Sequence, residues 1–162
     1  MLKGGGQAGA VAYRIPRRNY FYGRWVRRGG LFPDYQIRLL RRGSGQYNDV
    51  ALHENLLVDG PIGTLRYPLD HHTEPAVADH LRRVDQYTTL AARETGRRRT
   101  LVRWTDLTLR PIVTLFKMYI LKQGFLDGVP GFLVCAFAAM HTFLKYAKLW
   151  EARLGPLAPG NP

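Results

Sequence analysis

The 162-residue chain carries 24 Lys+Arg against 12 Asp+Glu, a formal charge of +12, and is 46% hydrophobic and 12% aromatic. That composition excludes wholesale disorder and suits about one domain. The single cysteine, Cys135, excludes an internal disulfide framework and a multi-cysteine metal cluster, and the first 30 residues hold no apolar run of the secretory type.

Charge is divided by region. Residues 1–48 balance at +9, residues 49–96 at −4 and residues 97–162 at +7, which suggests separate tasks rather than one cationic surface. Nucleic acid and anionic lipid are both admissible partners for the basic regions. Residues 1–12 are Gly-rich and read as a mobile leader. Arginines and aromatics then interleave from Tyr13 to Arg28, and Gly29, Gly30, Pro33 and Asp34 mark a turn. Tyr35 to Arg41 alternates as a strand does and stops at Gly43-Ser44-Gly45. Leu56–Val58 and Ile62–Leu65 flank Asp59-Gly60-Pro61, which predicts two extended segments joined by a tight turn.

A helix is predicted from Glu74 to about residue 95. Thr73 would be its N-cap, Pro75 would sit in the first turn, and Gly96 would follow the end. The basic Arg97-Arg98-Arg99 stretch leads to a second helical pattern, Thr108 to Lys122, whose broad apolar face includes Leu109, Phe116 and Ile120. Gly124, Asp127, Gly128 and Pro130 interrupt it. From Gly128 to Leu144 no Lys, Arg, Asp or Glu occurs. A helix over Gly131–Leu144 would be about 21 Å long, short of a hydrocarbon core of roughly 30 Å, so interfacial or re-entrant placement is predicted. Leu109, Phe116, Ile120, Phe132, Phe137 and Phe143 are the candidate membrane contacts, with flanking Arg and Lys on the headgroups.

Two short segments concentrate carboxylate and imidazole: Asp49-Val-Ala-Leu-His53-Glu54 and Asp70-His71-His72-Thr73. Glu54 has the chemistry to accept a proton and His71 to bind a metal, but the spacing is not that of a zinc site. Helix capping and pairing with arginines account for the same residues, so the local pattern leaves both open.

The order of the blocks carries a resemblance. Gly29-Gly30-Leu-Phe-Pro33-Asp34-Tyr-Gln-Ile-Arg38-Leu-Leu-Arg41-Arg42, Leu52-His53-Glu54-Asn-Leu, Val58-Asp59-Gly60, Pro68-Leu-Asp-His71 and the Tyr87 to Arg93 helix resemble the second half of bacterial family 2 glycosyltransferases of the inverting GT-A type, in particular lipopolysaccharide-core enzymes. Gly124 to Glu151 resembles their membrane-associated C-terminus, and the likeness runs over roughly residues 19–151.

The resemblance implies an α+β fold, a partial GT-A-like acceptor half followed by membrane-associated helices. It implies Glu54 as general base beside His53. It also implies Arg38, Arg41 and Asp49 as substrate or diphosphate contacts, and His71 as a ligand of a divalent metal (Mg or Mn) or of the diphosphate. No Asp-x-Asp occurs in the chain, so the donor-binding half is expected from elsewhere, including a second polypeptide. The expected organisation is a leader (1–12), an acceptor-side portion (13–96), a basic linker with membrane-associated helices (97–155) and a tail (156–162). Its strands would be open at an edge. A nucleotide-sugar donor, a lipid-linked or lipopolysaccharide acceptor and an anionic membrane are the implied partners, at the cytoplasmic face of the bacterial inner membrane. A non-catalytic membrane-peripheral binding protein is the alternative. A nucleic-acid module is less favoured, because it leaves the apolar run 129–144 unexplained.

Overall fold

The computed structural model describes residues 9–47, 56–98 and 101–154, and it is α+β. The central strand β1 (Ala12–Phe21) takes in the last residue of the segment read as leader, and Ala12 is fully buried. A two-residue turn, Tyr22-Gly23, returns the chain to β2 (Arg24–Trp25); both turn residues have positive φ, the geometry that matches strand twist in a short hairpin. On the same side, β3 (Asp34–Leu40) runs antiparallel to β1, as the alternation of residues 35–41 predicts.

The Asp59-Gly60-Pro61 turn does not close a hairpin. β5 (Leu56–Val58) pairs instead with β4 (Gly45–Tyr47), while β6 (Ile62–Thr64) and β7 (Leu69–Glu74) lie parallel to β1 on its free side. Turn residues fix the reversal, and long-range burial against β1 chooses the partner. Among the described residues, β3, β6 and β7 have no strand on their outer sides.

The long helix α1 (Val77–Arg98) starts three residues after the predicted start. Glu74 precedes Pro75, whose ring disfavours helical backbone at the residue before it. Thr73 and Glu74 therefore end β7, and the His80 N–H donating to the Ala76 carbonyl at 3.2 Å opens the helix. Gly96 lies inside α1 rather than beyond it, opposite Leu149. His80, Val84, Thr88 and Ala92 form the buried stripe at four-residue spacing, whereas Val77 and Leu81 are exposed.

The predicted 108–122 helix is divided. A short α2 (Trp104–Leu107) precedes α3 (Leu109–Phe116), which widens into a π turn over Lys117–Leu121; a 3₁₀ turn, Gly124–Asp127, then leads into α4 (Gly128–Leu154). A Cβ on Gly131 would strike the Gly124 carbonyl, so glycine is what lets this reversal lie against α4. At 27 residues α4 is about 40 Å long, not 21 Å, because Gly128, Pro130 and Gly131 sit within its first turn and the helix continues past Leu144 through Lys145 and Lys148. By length and composition the stretch Gly124–Leu154 suffices to cross a membrane, and only 22% of its most apolar window is buried inside the protein.

Two small cores dock α4. Val134 joins Phe21 and Val26 at the end of the sheet, while Tyr146 and Leu149 join Ala92 of α1. Between them Phe137 stacks on the His80 ring at 4.0 Å between centroids. Lys148 Nζ reaches the Asp85 carboxylate at 2.6 Å and the Thr89 hydroxyl at 2.8 Å. Asp127 ties the helical reversal to the sheet, accepting the backbone N–H groups of Arg27 at 2.8 Å and Arg28 at 2.6 Å.

Candidate functional site

Strand alternation divides the chemistry of the sheet between its faces. On one face β1 presents Arg17 and Asn19, β3 presents Asp34, Gln36 and Arg38, and β7 places His71 in register with Asn19. Asp34 is the hub. Its Oδ2 accepts from Arg17 Nη2 at 2.5 Å, Arg17 Nε at 3.0 Å and Asn19 Nδ2 at 3.1 Å, and its Oδ1 accepts from Gln36 Nε2 at 2.9 Å. Burial opposes the charge on Asp34, but the hydrogen bonds from Gln36, Asn19 and Arg17 prevail and hold its carboxyl below the usual range.

α1 walls this face. Arg83 Nη1 donates to buried Glu74 Oε1 at 2.6 Å, and the Arg83 charge reaches His71. Burial, then Arg17, Arg83 and Arg38, push the His71 pKa down against the weaker pull of Asp34, so His71 is neutral at physiological pH and sits in a positive field. Its surroundings attract an anion and repel a cation. Among the described residues no three His, Cys, Asp or Glu side chains converge. The described residues therefore do not fit the divalent ion that the resemblance implies, and the field at His71 is of the sign that suits an anion.

Of the other expected contacts, Arg38 is exposed at the rim of this face, with no carboxylate partner among the described residues. Arg41 lies one residue beyond β3, exposed, its N–H donating to the Val11 carbonyl. Asp49, His53 and Glu54 lie outside the described residues; the chain leaves at Tyr47 and returns at Leu56, which are paired partners of β4 and β5. Sequence reading passed over Asn19, Asp34 and Gln36. The signal available was the two-residue spacing of Arg17 and Asn19, which places both on one face once that segment is read as a strand.

The opposite face accounts for the interleaved arginines and aromatics. Arg18 and Arg27 lie over the Trp25 ring at 5.5 and 4.6 Å, Arg14 lies over Tyr35 at 5.0 Å, and His72 stacks on Tyr20 at 4.9 Å. Contacts within the protein thus engage these rings and guanidiniums, and no base-stacking role is needed to explain their interleaving.

At the end of the sheet the Tyr22 hydroxyl lies 2.6 Å from His80 Nδ1. Burial, then the Glu74 charge, push the Tyr22 pKa up to about 12, and burial pushes His80 down. Both groups are therefore neutral, with Tyr22 donating and Nδ1 accepting. Because the folded His80 pKa lies below that of the unfolded chain, its contribution to stability is present above about pH 6.5 and is lost as pH falls through the folded value. Tyr22 has the opposite sign: its contribution is present below about pH 10 and is lost as pH rises toward 12. Urea midpoints measured across pH should fall at both ends. His80→Gln should reduce the acid limb, leaving the shares due to His71 and His141 and, at lower pH, to Asp34.

No family model and no solved structure matches the chain. Fold and site together define an α+β protein with arginines gathered around His71 on one sheet face and an exposed apolar helical surface. The chain is similar to the lipopolysaccharide core biosynthesis glycosyltransferase LpsC of Rhizobium meliloti, at 28% identity over 146 residues, which cover 87% of this chain and 53% of LpsC. It spans about half the length of this curated relative, and the resemblance to lipopolysaccharide-core glycosyltransferases carried by the ordered blocks has a curated counterpart.

The expected membrane contacts divide. Leu109, Phe116, Ile120, Phe132 and Phe143 are exposed, 43–55%. Phe137 is not: it is 9% exposed, enclosed by the His80 stack, and belongs to the interior.

Proposed function

We propose that this chain forms the acceptor-side, membrane-surface portion of a family 2, GT-A-like glycosyltransferase. The enzyme would pass a sugar from a nucleotide-sugar donor to a lipid-linked or lipopolysaccharide-core acceptor at the cytoplasmic face of the inner membrane. The observation that carries the proposal is the likeness to LpsC over 87% of the chain. The arginines gathered around His71 support it. As the acceptor oxygen attacks the anomeric carbon, Glu54 takes its proton, the bond to the diphosphate breaks with inversion, and the charge released on the diphosphate meets neutral His71 and Arg38. Recognition of the nucleotide is assigned in part to residues outside these 162.

Membrane contact is assigned to α3 and the first turns of α4, where Leu109, Ile112, Phe116, Ile120, Val129 and Phe132 are exposed. Peripheral placement is favoured over a span, because α4 is docked along α1, and α1 carries the ion pairs Asp79–Arg82 and Glu94–Arg97 on its outer side. A crossing α4 would draw these charges into hydrocarbon. Amphipathic α3 instead lies in the interface.

The reading is tested with membranes of the native host, which also supply the donor-binding residues, with and without this chain, by transfer of labelled sugar from UDP-glucose and UDP-galactose to purified lipopolysaccharide core. His71→Ala removes one hydrogen bond to a charged group, so incorporation should fall roughly 10- to 100-fold. Unchanged incorporation would remove His71 from the site, and the absence of protein-dependent transfer with any nucleotide sugar would overturn the reading.

A further inference from the structure

α3 and α4 run antiparallel, with Thr114 and Thr142 hydroxyls 3.4 Å apart at the seam. Beside that seam opens a groove of about 670 Å³, within the usual range for small-ligand sites. Four cations line it: Arg110 and Lys117 on the α3 side, Lys122 after the π turn, and Lys145 on α4. Thr105, Thr114, Thr142 and Tyr146 add hydroxyls, and no carboxylate lines the groove. Arg110 donates from Nε to Asp106 at 2.5 Å, while Lys117, Lys122 and Lys145 have no carboxylate partner among the described residues. Two of the cations also converge on one ring, Arg110 at 5.4 Å and Lys145 at 4.4 Å from the Tyr146 centroid. Like charges gathered in a concave site repel one another, and an anion between them relieves the repulsion.

The position of the groove selects among anions. Leu109 and Val113 form its apolar wall and are more than half exposed, and they continue into the exposed Ile112–Phe116 surface. Lys145 is the first charged residue after the uncharged run 128–144 of α4. The cations thus sit at the boundary between apolar and polar surface, the level at which a phospholipid carries its phosphate. A free phosphate leaves the apolar wall unused.

We propose that the groove between α3 and α4 is a headgroup site for an anionic phospholipid. Arg110, Lys117, Lys122 and Lys145 hold the phosphodiester, and the acyl chains leave over Leu109 and Val113. The proposal rests on the membrane-surface reading above and adds a defined, saturable site to it.

The test uses the full chain in flotation with phosphatidylcholine vesicles, with and without phosphatidylglycerol, and in titrations with dihexanoyl phosphatidylglycerol below its micelle concentration, dihexanoyl phosphatidylcholine and inorganic phosphate. Removing two cations by Lys117→Gln with Lys145→Gln should weaken binding to the anionic vesicles roughly thirtyfold and abolish saturable binding of dihexanoyl phosphatidylglycerol. The charge-matched pair Arg82→Gln with Arg97→Gln, on exposed α1 positions, should retain both, and the conservative Lys117→Arg with Lys145→Arg should restore both. Equal loss from the groove and α1 pairs, or inorganic phosphate binding as tightly as the lipid, would overturn the site. Flotation that persists unchanged in the groove pair overturns this proposal alone, whereas failure of the wild-type chain to float on any vesicle removes the membrane-surface reading and the site together.

Discussion

Phe137→Ala is expected to lower unfolding free energy by about 3–5 kcal/mol, the range for truncating a buried phenyl ring, because Phe137 is buried and stacks on His80, whose ring also stacks on Phe21. Phe132→Ala, at an exposed position of the same helix where only the edge contact with Tyr119 at 5.6 Å is lost, should lower unfolding free energy by no more than about 1.5 kcal/mol and instead weaken vesicle binding. Equal midpoints for the two variants would show that α4 is not docked on α1 and the sheet. The contrast also separates a membrane-facing phenylalanine from one that only shares its helix.

Glu54→Gln should cost about 10²- to 10⁴-fold in transfer rate, the usual contribution of a positioned general base, with little change in the KM for the acceptor. Gln preserves the size of the side chain and cannot take the proton. The same assay with Asp49→Asn separates the roles, since a binding contact raises KM and a base lowers kcat. Transfer that survives Glu54→Gln would assign proton removal to another group.

Elements with a strong local period were legible in the sequence. β3 is visible as alternation, and α1 as a 3.6-residue pattern, because each is stated by adjacent residues. The α1 start was not, since Thr73 and Glu74 satisfy the composition of a helix cap while Pro75 decides the backbone of Glu74. The Asp59-Gly60-Pro61 turn misled for a different reason: turn chemistry is local, but β5 and β6 found their partners in β4 and β1. Helix α4 is apolar over most of its circumference between residues 128 and 144, so composition could not tell Phe132 from Phe137. At about 100° per residue, Phe132 and Phe143 lie roughly 20° apart around the helix and Phe137 roughly 140° from Phe132, which is the division observed. On the candidate face, the ordered blocks point to His71 and Arg38, which the structure places together there. The Asp34 hub was not, because Arg17 and Asn19 lie 17 and 15 residues away on another strand, and only pairing of β1 with β3 brings them together.

The Asp127 carboxylate, holding the N–H groups of Arg27 and Arg28, joins the helical reversal to the β2 side of the sheet, and the Gly29 N–H donating to the Lys122 carbonyl at 2.9 Å adds a main-chain bond between the same two segments. Two backbone donors converge on one carboxylate oxygen and a main-chain bond lies beside them, so this joint behaves as a fixed bracket rather than a hinge. On the proposed function, with α3 in the interface, the bracket would set the height of His71 above the lipid. Acceptors would then be sorted by reach as well as by sugar identity: a hydroxyl standing too close to its lipid anchor, or too far along a growing chain, would not meet His71 even if its local chemistry were correct.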